Sequence, residues 1–449
     1  MTDHALDKGR GSSGTVTADK TIHDPITLWA AIRIWFQIGI LSFGGPTAQI
    51  ALMHRVIVDE RKWLTETQFL NALSFCMLLP GPEAMQLATY AGWRLHGVAG
   101  GLAAGLLFVL PGAFVVLALA AIYAAFGSVP FVEALFFGIK AAVLIIVLEA
   151  LLRISRKALK KTQHWIIAAV SLVAIFFLAL PFPLIVFLAG LYGFWRSRKD
   201  QGFPEDLVQI DVKPVATLRT VVLWLTIWLL PLVLLSSYLG EGDILGQIGW
   251  FFSKLAVVTF GGAYAVLAYM GQDVVQNHGW LTAGQMMDGL GLAETTPGPL
   301  ILVTEFVGFL AAYQQAETLS WLAGLSGAMV ALWATFAPCF LWIFAGAPYI
   351  EWIGSQPRLK GALSAIIAAV VGVILNLSLW FALHVFFAEV TLEKMGPVQL
   401  WIPDLGTLDI YAVALAVVSG GLLLRLHWSI PKVLAVSSGL ALAISYAPL

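Results

Sequence analysis

Two short motifs, each present twice, break an otherwise apolar chain with glycine and proline. Ser42-Phe43-Gly44-Gly45-Pro46-Thr47-Ala48-Gln49-Ile50 has a counterpart in Thr259-Phe260-Gly261-Gly262-Ala263, and Leu79-Pro80-Gly81-Pro82 in Thr296-Pro297-Gly298-Pro299-Leu300. Proline removes a backbone donor and clashes with the preceding turn, so a helix stops at such a tip. Where a helix restarts, its first amides lack partners and carry the positive end of the helix dipole. Glycine lets a ligand approach those amides, and proline at the first helical position costs nothing there. That combination suits a small anion. The candidate binding residues are therefore Phe43, Gly44, Gly45, Pro46, Thr47, Gln49, Pro80, Gly81, Pro82, Phe260, Gly261, Gly262, Thr295, Thr296, Pro297, Gly298 and Pro299, with the Gln86 amide alongside. The competing reading is that Gly and Pro shape tight helix packing, as they do in many membrane helices. Two motif types repeated in both halves favour the site.

Charges inside apolar segments come next, because they are costly in hydrocarbon and usually functional. Arg33 and Lys254 lie on the arms leading to the two Phe-Gly-Gly tips and are candidate countercharges for an anion; Lys140 lies in a long span. Snorkelling to an interface, or pairing of Lys140 with Glu133 or Glu149, are the structural alternatives. Glu83 follows the first Pro-Gly-Pro, and Glu294 and Glu305 flank the second; these three are proton-coupling candidates. Glu83 could equally cap a helix start. No histidine pair has the spacing of a haem or zinc site, and Cys76 and Cys339 both lie in apolar runs, so no cofactor or metal is expected.

The elements that must hold these residues are membrane helices. The 449 residues are 59% hydrophobic and only 11% charged, with mean hydropathy +0.87. That excludes a soluble enzyme, a disordered chain and a nucleic-acid binder. Long continuous apolar runs disfavour a transmembrane barrel. The expected fold is all-α and polytopic.

An offset of 217 positions superimposes Phe43-Gly44-Gly45 on Phe260-Gly261-Gly262, Trp63-Leu64-Thr65 on Trp280-Leu281-Thr282, and Pro80-Gly81-Pro82 on Pro297-Gly298-Pro299. Duplication of a half in a helical membrane protein points first to a transporter. The first repeat is expected over 25–195, with segments near 26–60, 65–95, 98–126, 131–152, 164–180 and 182–195. The second is expected over 244–449, with segments near 244–277, 282–313, 319–344, 358–387, 409–426 and 430–447. A disordered tail (1–24) precedes them, and a polar linker plus one connecting helix (196–243) separates them.

The first 219 residues hold 19 of the 25 Lys and Arg, so equivalent loops fall on opposite sides under the positive-inside rule. This predicts an inverted repeat, with the amino terminus cytoplasmic and the carboxyl terminus outside. Keeping the basic clusters inside, among them Arg153, Arg156, Lys157, Lys160 and Lys161 after the fourth segment, requires 26–60 and 65–95 to return to the side they came from. Each arm is about 15 residues, or roughly 22 Å, short of the ~30 Å hydrocarbon core. They are expected as re-entrant hairpins whose tips meet near the midplane; a single distorted span is the alternative.

The duplicated Phe-Gly-Gly and Pro-Gly-Pro motifs, with Trp-Leu-Thr between them at fixed spacing, resemble the chromate ion transporter family in its long, two-domain form, over nearly all of 26–447. The resemblance implies a multi-pass bacterial inner-membrane exporter of chromate, driven by the membrane gradient and conferring chromate resistance, with sulfate as a structural mimic. A homodimer in the lipid bilayer is a further expectation. Ala263 stands where the first half has Pro46, so the halves need not contribute equally. A sulfate-type permease or importer, a passive anion channel and a membrane-embedded reductase are the alternatives.

Overall fold

The computed structural model describes residues 26–197, 214–240, 242–260, 263–318 and 320–446. The expected tail, much of the polar linker, and Gly261 and Gly262 lie outside these residues. The described chain is a polytopic all-α membrane protein, with five helices long and apolar enough to cross a bilayer.

The first half opens with two broken pairs. Helix α1 (Leu28–Leu41) stops at Ser42, and α2 (Gly45–His54) restarts after Gly44, with Pro46 in its first turn. Helix α3 (Glu66–Cys76) stops before Pro80-Gly81-Pro82, and α4 (Glu83–Phe126) begins directly after it. Within α4 the chain leaves helical geometry at His96 and Gly97 and doubles back. Gly92 and Gly100 face each other across this reversal, each leaving no room for a Cβ beside the other's carbonyl. The reversal ends the second hairpin where the 65–95 segment was expected to end. Helices α5 (Pro130–Ala158), α6 (Thr162–Phe176) and α7 (Phe182–Arg196) complete this half.

A lone apolar helix, α8 (Pro214–Leu239), follows. Only Trp224, Trp228 and Leu232 of it are buried, which leaves most of its surface for lipid. The buried indole of Trp228 donates to Ser253 Oγ at 3.2 Å, so its polar edge does not go unpaired.

The second half repeats the pattern with α9 (Ile244–Val258), α10 (Ala263–Gln272), α11 (Ala283–Thr295) and α12 (Val303–Gln315). Helices α13 (Ser320–Gly346), α14 (Ile350–Ser355), α15 (Pro357–Phe386), α16 (Ile410–Gly420) and α17 (Ile430–Tyr446) follow. The repeat is visible in conformational detail. Both α2 and α10 run on into π-helical turns, Arg55–Glu60 and Asp273–Asn277. After these turns the Trp63 amide donates to Ile57 O at 2.7 Å and the Trp280 amide to Val274 O at 3.0 Å. Both α3 and α11 then begin with a capping box, Thr65 with Gln68 and Thr282 with Gln285.

One element departs from the sequence expectation of a plain loop between α15 and α16. There the chain forms an antiparallel hairpin, β1 (Val390–Met395) and β2 (Val398–Pro403), turning at Gly396 with φ 62°. The Gln399 amide donates to Phe177 O at 2.8 Å, tying the hairpin to the end of α6.

Candidate functional site

The tips meet in a crosswise pattern. The Gly81 amide donates to Thr259 O at 2.9 Å, and the Gly298 amide donates to Ser42 O at 2.8 Å. Position 81 corresponds to 298 and position 42 to 259 under the 217 offset, so each half gives the other the same bond. Such reciprocity is what a pseudo-two-fold axis between the halves produces. Gly81 has φ 116° and Gly298 φ 88°. A Cβ on Gly81 would lie 2.8 Å from Gln86 Nε2 and 3.1 Å from Cys339 Sγ, so both conformation and space require glycine there.

Four of the side chains expected to face a ligand are spent on backbone carbonyls instead, Gln49 on the brace itself and Gln86, Thr295 and Thr296 on carbonyls of their own segments. Gln49 is buried, and its Nε2 donates to Gly298 O at 2.6 Å and to Ser42 O at 3.3 Å. Gln86 Nε2 donates to Pro80 O at 2.7 Å. The Thr295 hydroxyl donates to Leu292 O and the Thr296 hydroxyl to Ala293 O. Pro80, Gly81, Pro82, Pro297, Gly298 and Pro299 are all buried. Gly298 packs against Gly112 of α4 and Leu302, so the fourth helix start faces protein.

Three helix starts do line a cavity of about 410 Å³. They are the α2 start at Gly44, Gly45, Pro46 and Thr47, the α4 start at Glu83, and the α10 start at Ala263 and Tyr264. Phe43 is exposed just before the first of them, and Phe260 is half-buried before the third. The opposite wall is basic. Arg153 and Lys157 come from the last turns of α5, Lys160 from the loop after it, and Lys360 from the first turn of α15. His164 holds these walls together. Its Nδ1 donates to Ala158 O at 2.9 Å, which leaves Nε2 to accept from the Ser364 hydroxyl at 3.4 Å.

The cations outweigh the helix ends in capturing an anion. A helix end contributes about 0.3–1 kcal/mol. A dianion about 4 Å from one cation gains about 2 kcal/mol even with water-like screening. Four cations face one carboxylate, Glu83, so the cavity concentrates anions, and the helix ends are placed to orient them.

Arg33 and Lys254, expected as countercharges, are not brought to the tips. Both side chains are exposed on the outer faces of α1 and α9. The Arg33 guanidinium lies over the Trp29 ring, 5.8 Å from its centroid. The basic wall was visible in the sequence only as a loop-charge signal. Its spacing held a further clue, since Arg153 and Lys157 are four residues apart and so share a helix face.

The acidic candidates separate. Glu83 lines the cavity. Glu294 is buried just behind it and accepts a hydrogen bond from Tyr264, itself a cavity residue, at 2.8 Å. Glu305 is buried in α12, and its Oε2 has no hydrogen-bond partner. Cys76 and Cys339 are buried free thiols.

Comparison with known proteins covers the same ground. The family model described as "Chromate transporter" matches residues 29–194 and 246–444. The chain is 32% identical over 365 residues to the "Chromate transport protein" of Cupriavidus metallidurans, covering 80% of this chain and 84% of that protein. It is 30% identical over 398 residues to the "Chromate transport protein" of Pseudomonas aeruginosa, covering 86% and 87% respectively. It is also 30% identical over 354 residues to the "Probable chromate transport protein" of Synechococcus elongatus, covering 79% and 84%. No solved structure matches. The two matched stretches each contain one Phe-Gly-Gly tip and one Pro-Gly-Pro tip, the corners that bond crosswise, and this chain belongs to the chromate transporter family.

Proposed function

We propose that the chain exports chromate from the cytoplasm across the inner membrane, by alternating access between two inverted halves. Membership of the family makes it a transporter and not an enzyme. The observation that carries the finer reading is the cavity in which tips from both halves face Arg153, Lys157, Lys160 and Lys360. Its volume of about 410 Å³ is large beside the roughly 30 Å³ taken by a water molecule, so a tetrahedral dianion fits with part of its hydration shell. Arg153 is suited to a bidentate grip on two oxygens, and the lysines act as point charges.

The positive-inside rule puts the basic end of α5, and with it this cavity, on the cytoplasmic side. The amino terminus is then cytoplasmic. An inward-facing cavity at the junction of two related halves is what alternating access uses, with rocking of one half against the other exposing the tips to the far side. Sulfate, a tetrahedral dianion of the same charge, is proposed as a competitor at the same wall. Glu83 is the proposed proton-linked carboxylate, because it alone of the three acidic candidates lines the cavity.

Uptake of labelled chromate into everted membrane vesicles tests the reading. Energised uptake that falls in a Lys157→Gln, Arg153→Gln double variant supports it. Uptake unaffected by both substitutions overturns the site, and flux confined to the opposite direction overturns export.

A further inference from the structure

A second cavity, about 480 Å³, lies at the other end of α5. It is lined by Glu133 and Lys140 from the first turns of α5, Tyr123 from the end of α4, and Gln285 and Asp288 from α11. Lys140 and Arg153 are separated by 13 residues of one helix, so this cavity and the anion cavity stand about 20 Å apart along α5. With the basic end of α5 inside, the second cavity is the outward one.

Its wall holds a buried carboxylate. Asp288 is 3% exposed, accepts the Tyr123 hydroxyl at Oδ2 at 2.8 Å, and pairs through the same oxygen with Lys140 Nζ at 3.5 Å. Its other oxygen, Oδ1, has no partner. A buried carboxylate with one unused oxygen is costly unless a proton or a donor completes it. Lys140 is placed to serve two masters. Its ammonium rests over the start of α11, where a Cβ on Gly284 would lie 3.2 Å away, and it also lines the cavity. From the elements packed on Asp288, the charged or titratable groups facing it are Lys140 and Glu133 from α5 and Tyr123 from α4. Helix α17 brings Ser445, which does not titrate. Among the described residues, α12 and α15 bring no basic group within 4.0 Å of it.

We propose that Tyr123, Lys140 and Asp288 form a proton-exchange site on the face opposite the anion cavity, in which a proton taken from the outer vestibule by Asp288 Oδ1 releases Lys140 from its ion pair. The Tyr123 hydroxyl keeps its bond to Oδ2. The cluster passes from neutral to one positive charge, which then faces the vestibule and attracts an anion arriving from the centre. Loss of the proton toward the cytoplasmic side restores the pair and expels the anion into the vestibule, so a proton enters as an anion leaves. This inference rests on the transport reading above and adds to Glu83, on the inner side, a second proton-linked carboxylate on the outer one.

The test uses the full chain in proteoliposomes with two assays. One is chromate counterflow at equal pH, which needs no net proton movement. The other is chromate flux under an imposed pH gradient, with a dye reporting internal pH. The expected result is that in Asp288→Asn the ratio of gradient-driven flux to counterflow falls about ten-fold or more, a coupling loss of at least one decade. Asp288→Glu, which keeps a carboxylate, regains most of it. Full gradient stimulation in Asp288→Asn overturns the proposal. So does equal loss of counterflow and gradient-driven flux in both Asp288→Asn and Asp288→Glu, since that marks a purely structural pair. A wild-type chain that exchanges chromate without responding to pH overturns the proton site and leaves the anion cavity standing. A wild-type chain with no chromate counterflow overturns the chromate reading instead, and the dye then decides alone. Proton movement that is absent in the wild type, or unchanged in Asp288→Asn, rejects the cluster.

Discussion

The Gly81 amide lies 2.9 Å from the Thr259 carbonyl oxygen, and its counterpart, Gly298, makes the same bond to Ser42 at 2.8 Å. The corners of the two halves are therefore one assembly. Gln49 reinforces it by donating to both Gly298 O and Ser42 O. The anion cavity is built on this brace, with open helix starts on one side and the basic ends of α5 and α15 on the other.

Substituting Gly81 or Gly298 by alanine is expected to destabilise the protein by about 1–3 kcal/mol, because a side chain at positive φ is strained. Gly81→Ala adds a contact of 2.8 Å with Gln86. Thermal unfolding in detergent checks this, with a lower midpoint expected for both variants and the larger drop for Gly81→Ala.

Gln49→Leu removes the donor that serves two buried carbonyls. Ser42 O keeps the Gly298 amide, but Gly298 O loses this donor, at a cost of about 1–3 kcal/mol. Thermal unfolding of this variant should show a loss of stability that Gln49→Glu does not repair, since a carboxylate cannot donate to a carbonyl.

Lys157→Gln removes one of the four cavity cations. A loss of about 2 kcal/mol of attraction for a dianion is expected, or roughly a thirty-fold rise in KM, shrinking as salt screens the wild type. Initial rates of chromate uptake at low and high ionic strength measure both effects.

Arg33→Gln and Lys254→Gln are expected to change KM by less than about two-fold, because exposed charges outside the cavity contribute little. A ten-fold rise in KM in either variant would restore these residues to the anion path.

His54 is the last residue of α2, just before the π-helical turn, and its Nε2 lies 2.6 Å from Glu66 Oε2 and its Nδ1 3.4 Å from Asp59. The hydrogen bond to Glu66 raises its pKa above the usual histidine value, helped by the nearby Asp59 charge and opposed by partial burial. A raised pKa in the folded state gives stability that is fully present below the unfolded pKa and is lost as pH rises through the folded one. Hydrogen exchange across 55–65 should therefore accelerate as pH rises past about 6.5, beyond the intrinsic increase in exchange rate. His54→Gln should abolish that pH-dependent part.

Much of this architecture is legible in the residues. The 217 offset pairs Ser42 with Thr259 and Gly81 with Gly298, the four positions that bond crosswise, and it pairs the capping boxes at Thr65 and Thr282. Proline and glycine announce a break by local geometry alone, so α1 and α3 end where the motifs say. Partner choice is a tertiary matter and was not legible. Gln49, Gln86, Thr295 and Thr296 read as ligand donors, yet Gln49 finds a carbonyl of the other half once the corners pack, and the other three find carbonyls of their own segments. Arg153 and Lys157 read as markers of sidedness, because only the packing of α15 against α5 brings Lys360 and the tips around them. The β-hairpin was hidden by the charges at Glu393 and Lys394, which break up a short strand's apolar pattern.

The crossed bonds also set what either half could form by itself. A chain holding one copy alone would carry a corner glycine whose amide has no mate and a neighbouring carbonyl equally bereft. Such a solitary half closes its corners only by meeting a second copy, an encounter that a single chain carrying both has built in.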